Sequence, residues 1–570
     1  MTAVGNRDDF TGSDMHRMTG ARALEFTLIG LGVEIVFDSS VSRVVESEVG
    51  SGYLRYVGMG EGRSAGHAAV GYSQATGKVG VCIARSASDA TDLITPLVDA
   101  QRDSVPLVAL TFQLESGDRP DRMLDISGMA IPIAKHSILL TVADDLPKVL
   151  VEAFHIASTG RPGVVVIDIS ESRLQRLAAF SWPPMKHLLG YRPRRAPHPK
   201  QIRAAVCSVL SARAPVLYVG GGAVSSGAAV PLYQWVELTG VPVVTTTMAR
   251  GVFPDSHRLH YGMPGVEGAH VANQALHHSD LVIALGASFD SHVTGAYESF
   301  APGAHIIHVD IDPSEIGRSL SADLSIVGDC AGTITALTEQ FLALRSKYPV
   351  SDLSSWIGYL DQVQANSRPQ LDGRTDGKLS AGFVVEKLSQ LTPAETVYVS
   401  EGGPHRTLAA NRPIYERPRM WLNSGSPHSH GYAFPAAIGA KMGASSGEVW
   451  VLADDRSLLF STHSLVAAVT EGIPIKIALI NSGASGKEPH ALTSSDRAAN
   501  LFQIAQGWGC RTFRCESEEE IEDAVRSAQT VDDRPAVIDF VLAHDGSPAA
   551  QRTSQNVDSS KSIPRFRIFR

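Results

Sequence analysis

A run of three glycines, Gly220 to Gly222, begins at the end of the apolar segment 215–220, and its position suggests a site for a ligand. The apolar segment predicts a buried strand. A glycine turn after such a strand lets the backbone approach the pyrophosphate of a dinucleotide closely. The segment 246–248 (Thr-Thr-Met) follows the next predicted strand in the same way. Because a tight turn alone would also favour glycine, the triplet predicts a nucleotide site only together with further segments of this kind.

Short apolar runs predict the strands that would position such a site. They span 79–84, 106–111, 163–168, 215–220, 281–286, 305–310, 449–454 and 475–480. These runs alternate with helix-length patterns, which is typical of parallel sheets covered by helices on both faces. The sequence therefore predicts an α/β protein made of three doubly wound parallel-sheet domains.

Changes in composition predict the domain boundaries. We expect domains at 16–185, 201–345 and 378–545, joined by linkers at 186–200 and 346–377 that are rich in polar residues and proline. The polar ends, 1–15 and 546–570, are predicted to be disordered tails.

Composition argues against several classes of partner. The 570 residues carry a formal net charge of −9 and no basic stripe, so nucleic acid is not an expected partner. The five cysteines are scattered and form no CxxC pair, which favours a reduced, cytoplasmic protein. No apolar run has the length of a signal-peptide core or a membrane span, so no membrane association is expected.

Blocks of sequence in all three segments are similar to a known family: they span 67–84, 103–113, 131–137 and 153–169, then 215–228, 238–257, 284–295 and 306–317, and finally 419–425, 431–443 and 471–483. Together these blocks resemble the acetolactate synthases, which are thiamine-diphosphate-dependent enzymes. The resemblance implies a pyrimidine-binding-like domain, a central FAD-binding domain and a diphosphate-binding-like domain. It also implies a small-molecule substrate and an active site between subunits, hence a homodimer or homotetramer.

The resemblance places the catalytic glutamate of that family, which hydrogen-bonds the aminopyrimidine ring, on Gly62. A carboxylate stands one position earlier, at Glu61. In a strand, a shift of one residue turns the side chain to the opposite face, although a β-bulge could restore it. Glu61 is therefore the candidate for the catalytic carboxylate.

The metal and diphosphate motif of the family is also altered. Its two ligand positions fall on Asp455 and Ser482, and Arg456 takes the place of a glycine. If the alignment is shifted by one residue, the two ligand positions fall instead on Asp454 and Asn481, whose side-chain oxygen atoms suit Mg²⁺.

Further replacements fall around the same cavity. A Phe-Gln pair of the family becomes Asp121 and Arg122, and the Gly-Gln-His motif keeps only its outer residues, among them His405. The apolar wedge of the family becomes His430, with His428 two residues earlier. Histidine exchanges protons near neutral pH, so these three histidines join Glu61, Asp121 and Arg122 as catalytic candidates. Because so many contacts are replaced, thiamine diphosphate and Mg²⁺ are not expected as working cofactors.

The flavin segments of the central domain match the family better, and FAD is the expected cofactor. The resemblance implies that the FAD-binding residues are Gly220, Gly221, Gly222, Thr246, Thr247, Met248, Gly265, Val266, Glu267, Gly286, Ser288, Asp290, His292, Asp310, Ile311, Asp329 and Cys330. Two arginines of the family are replaced, by Ser288 and His292, which should change the electronics of the flavin.

The first functional hypothesis is therefore an FAD-dependent oxidoreductase that has left thiamine chemistry and oxidises or oxygenates a small organic substrate. One alternative is a thiamine-diphosphate- and Mg²⁺-dependent decarboxylase or carboligase that acts on a 2-keto acid through Glu61. The other alternative is a non-catalytic partner subunit.

Overall fold

The computed structural model describes residues 16–40, 54–113, 124–180, 196–266, 268–295, 300–367, 379–425, 429–444, 447–481 and 501–542, with a few positions between 182 and 193. Three parallel α/β sheets follow one another along the chain, so the predicted fold class is confirmed. The predicted tails, 1–15 and 546–570, lie outside the described residues.

The N-terminal domain is built on a six-stranded parallel sheet. Its elements are β1 (His16–Thr19), α1 (Gly20–Gly30), β2 (Ile35–Asp38), β3 (Arg55–Gly58), α2 (Gly62–Thr76), β4 (Gly80–Ala84), α3 (Ala87–Asp92), α4 (Ile94–Arg102), β5 (Leu107–Gln113), α5 (Ile126–Ala130), β6 (His136–Leu140), α6 (Leu146–Ser158), β7 (Val164–Ser170), α7 (Glu171–Gln175) and β8 (Leu177–Phe180). The sheet order is β3-β2-β4-β5-β7-β6, and β1 pairs with β8 in a separate antiparallel ribbon.

The central domain has five parallel strands in the order β10-β9-β11-β12-β13. Its elements are α8 (Pro199–Ser211), β9 (Pro215–Val219), α9 (Gly221–Ser225), α10 (Ala229–Thr239), β10 (Val243–Thr245), α11 (His270–His277), β11 (Leu281–Leu285), α12 (Ser291–Thr294), β12 (His305–Asp310), β13 (Leu324–Val327), α13 (Cys330–Leu344) and α14 (Ser354–Asn366). Helix α14 forms within the segment predicted as a linker. It packs on this domain because Trp356 is buried and its indole N–H donates to the Pro215 carbonyl at 3.0 Å.

The C-terminal domain again has six parallel strands, in the order β15-β14-β16-β17-β19-β18. Its elements are α15 (Ala381–Leu391), β14 (Val397–Ser400), α16 (Pro404–Asn411), β15 (Trp421–Asn423), α17 (Ala433–Gly443), β16 (Val449–Ala453), α18 (Asp455–Thr470), β17 (Lys476–Asn481), α19 (Leu501–Gly507), β18 (Arg511–Cys515), α20 (Ile521–Gln529) and β19 (Ala536–Val541). Strand for strand, this order repeats that of the N-terminal sheet, so the two outer domains share one topology.

Helices α2 and α17 hold equivalent places in the two outer domains and pack directly against each other. Gly71 and Gly439 lie at the contact, where an added Cβ would overlap the backbone of Ala436 and Ala68 respectively. One hydrophobic cluster runs through both domains at this point, with Phe37 from one sheet and Val451 from the other. In the described part of the chain, no helix is long and apolar enough to cross a membrane.

Candidate active site between the outer domains

Glu61 stands at the start of α2, not in a strand. Strand β3 ends at Gly58, and Glu61 is the N-cap of the helix, with extended backbone at φ −160° and ψ 161°. The expectation that a one-residue shift would turn this side chain to the wrong face of a strand is therefore wrong. At the next position, a Cβ on Gly62 would stand 2.8 Å from the carbonyl carbon of Asp89 and closer still to its oxygen. The backbone thus has no room for a glutamate at position 62.

The carboxylate of Glu61 reaches across to the C-terminal domain. Its Oε1 lies 2.5 Å from Nε2 of His463 on α18 and accepts a hydrogen bond from the Ser64 hydroxyl at 3.0 Å. Burial opposes ionisation of Glu61. The hydrogen bond and charge of His463, the Ser64 hydrogen bond and the charge of Arg63 nevertheless lower the pKa of Glu61 below its usual value. This arrangement favours the ionised carboxylate at neutral pH.

A second polar cluster lies where β14 and β16 end. Glu401 directly follows β14, and its Oε2 accepts hydrogen bonds from the backbone N–H groups of Gly431 and Ala433, both at 3.0 Å. His405 on α16 is buried, with Nδ1 3.7 Å from Oδ2 of Asp454. Burial raises the pKa of Glu401 to about 7 and lowers that of His405. Carboxyl ends of parallel strands are the usual place for ligands in this type of sheet.

Several buried polar atoms in this cluster have no hydrogen-bond partner among the described residues. They are Oε1 of Glu401, both ring nitrogens of His405 and the hydroxyl of Ser461. Buried polar groups are nearly always hydrogen-bonded, because leaving one unpaired costs about 1–3 kcal/mol. Unpaired polar atoms gathered in one cluster fit a site for a polar ligand.

Asp454 is the N-cap of α18. Its Oδ1 accepts hydrogen bonds from the backbone N–H and the hydroxyl of Ser457, at 2.8 and 2.9 Å. The side chains of Asp455 and Asn481, as well as Ser482, lie outside the described part of the structure. Both predicted pairs of metal ligands, Asp455 with Ser482 and Asp454 with Asn481, therefore stay predictions. Within the described residues, no group of three or more His, Cys, Asp or Glu side chains could hold a metal ion.

His430 is half-buried beside the Glu401 cluster. Its ring stacks on Phe460 of α18 with centroids 5.1 Å apart and 16° between the planes. The loop that carries it is tied to the N-terminal domain, since Ser429 donates to Asp99 at 2.7 Å and the Gly425 N–H donates to Asp103 at 2.8 Å. His428, Asp121 and Arg122 lie outside the described residues.

Sequence reasoning missed several polar residues around the site: His463, Ser64, Glu401, Asp99 of α4, and Asp103, which directly follows that helix. Glu401 follows the run Val-Tyr-Val-Ser, so its place after a strand could have indicated it. No local signal indicates His463, because it meets Glu61 from 402 positions away.

Three of the glycines predicted to hold FAD, namely Gly220, Gly222 and Gly286, are closely packed within the central domain. A Cβ on Gly222 would stand 2.8 Å from the Cα of Gly286, and Gly286 itself has φ +57°, which favours glycine. Gly220 has no room for a side chain either, because a Cβ there would overlap the backbone of Gly286 and Ala287. The close approach of these two backbone segments by itself requires glycine at the three positions.

The polar residues of this predicted set have structural partners or lie at the surface. Asp329 caps α13 by accepting from the Gly332 N–H at 3.0 Å, and Thr247 lies 3.0 Å from the sulfur of Met263. Cys330 is buried, and burial raises the pKa of Asp310 to about 6. Thr246 and Met248 lie on either side of Thr247, and Gly265 and Ile311 are largely enclosed. Exposed residues of the set are Val266, Ser288 and Asp290. Glu267 and the side chain of His292 lie outside the described residues.

Three family models match the chain, one for each domain. They are the thiamine pyrophosphate enzyme N-terminal TPP binding domain over residues 18–131, the central domain over 202–337 and the C-terminal TPP binding domain over 401–540. The matched regions include Glu61, Glu401 and Asp454, and so cover both polar clusters.

Curated relatives match over nearly the whole chain. An acetolactate synthase from Mycobacterium leprae (strain TN) is 42% identical over 574 residues, which cover 96% of this chain and 91% of the relative. An acetolactate synthase large subunit from Corynebacterium glutamicum is 42% identical, covering 95% of this chain and 90% of the relative. The acetolactate synthase isozyme 3 large subunit from Escherichia coli (strain K12) is 30% identical, covering 94% and 96%.

These matches overturn the hypothesis of an FAD-dependent oxidoreductase that has left thiamine chemistry. Both TPP-binding domain models match across the altered positions, the relatives are named for acetolactate synthesis, and nothing indicates FAD as the main cofactor. A carboxylate is also present at the start of α2, where Glu61 is the N-cap of the helix. With 42% identity over nearly its full length and a model match in every domain, this chain belongs to the thiamine pyrophosphate enzymes as an acetolactate-synthase-like member.

Proposed function

We propose that the protein is a thiamine-diphosphate- and Mg²⁺-dependent carboligase that decarboxylates one 2-keto acid and joins the remaining fragment to a second. The observation that carries this proposal is the carboxylate of Glu61, held at the start of α2 by Ser64 and His463. A carboxylate at this end of α2 is what the chemistry requires, because activation of the cofactor moves a proton at its aminopyrimidine ring.

Thiamine diphosphate, when bound, supplies the electron sink needed for decarboxylation. Glu61 would hydrogen-bond the aminopyrimidine ring and carry the proton moved there. Asp454, at the N-terminus of the 16-residue helix α18, would contribute a carboxylate oxygen to Mg²⁺. The helix N-terminus favours the negative charge of a diphosphate, and the metal ion would offset its repulsion from Asp454 and Glu401.

The names of the relatives suggest the substrate. Acetolactate forms when two molecules of pyruvate combine with loss of one CO₂, so pyruvate is the substrate we propose. Because the relatives from Corynebacterium glutamicum and Escherichia coli are named as large subunits, we propose that this chain is the catalytic subunit of a homodimer or homotetramer. Light scattering of the purified protein would measure its mass, and a monomer of 60.7 kDa would contradict this part of the proposal.

The test combines binding with turnover. Calorimetric titration with thiamine diphosphate should show saturable binding that requires Mg²⁺, and the loaded protein should convert pyruvate to acetolactate and CO₂. Glu61→Gln should lower kcat by about 10²- to 10⁴-fold, the usual contribution of a general acid–base group. Glu237→Gln is the matched control, because Glu237 also pairs with a histidine, His257 at 2.8 Å, but on the central domain. The proposal fails if the wild-type protein neither binds the cofactor nor consumes a 2-keto acid.

A further inference from the structure

We propose that His463 is a positioning residue for Glu61, and that it keeps this carboxylate ionised and oriented by a contact across the two outer domains. The inference rests on the proposed function, since it assigns a role to a residue that acts through the catalytic carboxylate. Glu61 belongs to the N-terminal domain and His463 to α18 of the C-terminal domain.

The contact is a small network rather than an isolated ion pair. The Ser64 hydroxyl lies 3.0 Å from Glu61 Oε1, 3.0 Å from His463 Nε2 and 3.0 Å from the hydroxyl of Ser464. Both serines are buried, while the side chains of Glu61 and His463 are 30% and 43% exposed. The buried serines hold the protein-facing side of the Glu61–His463 pair in place. The Glu61 carboxylate therefore has a defined orientation, although it is partly exposed to solvent.

Both described hydrogen bonds to the carboxylate end on the same oxygen, Oε1. A carboxylate that receives a hydroxyl and an imidazole on one oxygen presents its other oxygen in a fixed direction. Ser64 has a single proton, so it donates either to Glu61 or to one of its other two neighbours. If Ser64 donates to Ser464 or to the ring, His463 alone holds the orientation of Glu61.

The charged surroundings of Glu61 come from three helices. Arg63 and His67 belong to its own helix α2, Asp92 belongs to α3 and His463 to α18. His67 is fully buried, and burial lowers its pKa to about 3, so it stays neutral. Asp92 carries negative charge, which works against ionisation of Glu61. Arg63 and His463 therefore supply the favourable charge, and His463 is the one in hydrogen-bond contact.

The primary experiment uses the ligand-free, full-length protein. Glutamate labelled with ¹³C at the side-chain carboxyl would be incorporated, and the signal of Glu61 assigned as the one missing from Glu61→Gln. In wild-type protein this signal should titrate at lower pH than in His463→Gln or His463→Ala. The alanine variant should shift further upward, because glutamine keeps a hydrogen-bond donor without the charge. An unchanged titration of Glu61 in both variants would overturn the proposal.

His305→Gln is the matched control. His305 is 45% exposed and lies 3.5 Å from Asp323 on the central domain, so it repeats a half-exposed histidine–carboxylate pair away from the site. The titration of Glu61 should not change in this variant, and an equal shift there would mean that the effect is not specific to His463.

The second readout is the pH profile of the loaded enzyme. In His463→Ala the acidic limb of the kcat/KM profile should move to higher pH. At a pH on that limb, kcat/KM should fall roughly tenfold relative to wild type, which is about the contribution of one charge-assisted hydrogen bond. A loss that is uniform across pH would indicate a merely structural role and contradict the inference. If wild-type protein shows no thiamine-dependent turnover, the proposed function fails, and the carboxyl titration still decides whether His463 controls Glu61.

Discussion

Gly439 of α17 lies directly on the backbone of Ala68 in α2. A Cβ at position 439 would overlap the Ala68 carbonyl oxygen and stand 2.8 Å from the backbone nitrogen of Tyr72. Neither atom belongs to a flexible side chain, so the two helices could not yield locally. The spacing of α2 and α17 is therefore set by the absence of a side chain at this position.

Gly439→Ala should force the two outer domains apart. We expect a loss of about 1–3 kcal/mol in the free energy of unfolding, as for other overpacked cores, and a larger value if the helices separate. Urea unfolding followed by circular dichroism would measure it. The control is Gly358→Ala on α14, where no atom lies within 4 Å of an added Cβ. That variant should gain up to about 1 kcal/mol from helix propensity, and equal losses in both variants would contradict the packing argument.

Moving the carboxylate from Glu61 to position 62 should not preserve function. The double change Glu61→Gly with Gly62→Glu places the glutamate where the family alignment without gaps would have it. Its Cβ would overlap the backbone of Asp89, so we expect a lower unfolding temperature and loss of acetolactate formation. Differential scanning calorimetry and the pyruvate assay would measure these effects. A stable, active double variant would show that position 62 can carry the catalytic carboxylate.

Asp103 should make stability depend on pH. Burial raises the pKa of Asp103 to about 7, although its hydrogen bond from Gly425 acts in the opposite direction. Between about pH 4 and 7 the folded protein keeps a proton that the unfolded chain releases, so this group lowers stability as the pH rises through that window. Asp103→Asn removes the titration and keeps an acceptor for Gly425.

Relative to wild type, Asp103→Asn should therefore become more stable as the pH rises from 5 to 7, by up to about 1.4 kcal/mol per pH unit. Denaturant unfolding at pH 5, 6, 7 and 8 would measure the difference. A gap between the two proteins that stays constant over this range would refute the assignment.

Asp454→Asn should separate helix capping from metal binding. Asparagine is as good an N-cap as aspartate, so α18 and the overall stability should change by less than about 0.5 kcal/mol. Loss of the negative charge should raise the Mg²⁺ concentration needed for half-maximal thiamine diphosphate binding, by about tenfold or more. Calorimetry at several Mg²⁺ concentrations would measure it. An unchanged Mg²⁺ requirement would exclude Asp454 as a ligand.

Much of the fold could be predicted from the sequence because buried parallel strands are continuous apolar runs. The run at 305–310 coincides with β12, and the run at 449–454 differs from β16 by one residue. The shared topology of the outer domains could not be predicted in this way, because strand order depends on pairing between distant segments. Helix α14 was missed because the segment 346–377 is weakly periodic, and only burial of Trp356 on the central domain explains its position.

The candidate site was harder to predict, for two physical reasons. The sequence comparison placed the glutamate position of the family at Gly62 and treated this position as part of a strand, whereas β3 ends at Gly58 and Glu61 caps a helix. The contact with His463 depends on how two domains pack, which no local pattern encodes. The glycines of the central domain were ambiguous in the sequence, since close packing of Gly222 on Gly286 requires the same pattern of glycines as a dinucleotide site.

The core shared by α2 and α17 makes the outer domains a single cooperative unit, although a whole domain separates them along the chain. The central domain has hydrophobic clusters of its own, with Trp235 and Phe341 in one of them. Either outer domain produced alone would expose the glycine-lined face of its helix to water. The central domain is thus an insertion between two halves of one fold, and it is tied to both halves, by the hydrogen bond from Arg250 to the Ala410 carbonyl at 2.8 Å and by the ion pair of Arg161 with Glu315 at 2.7 Å.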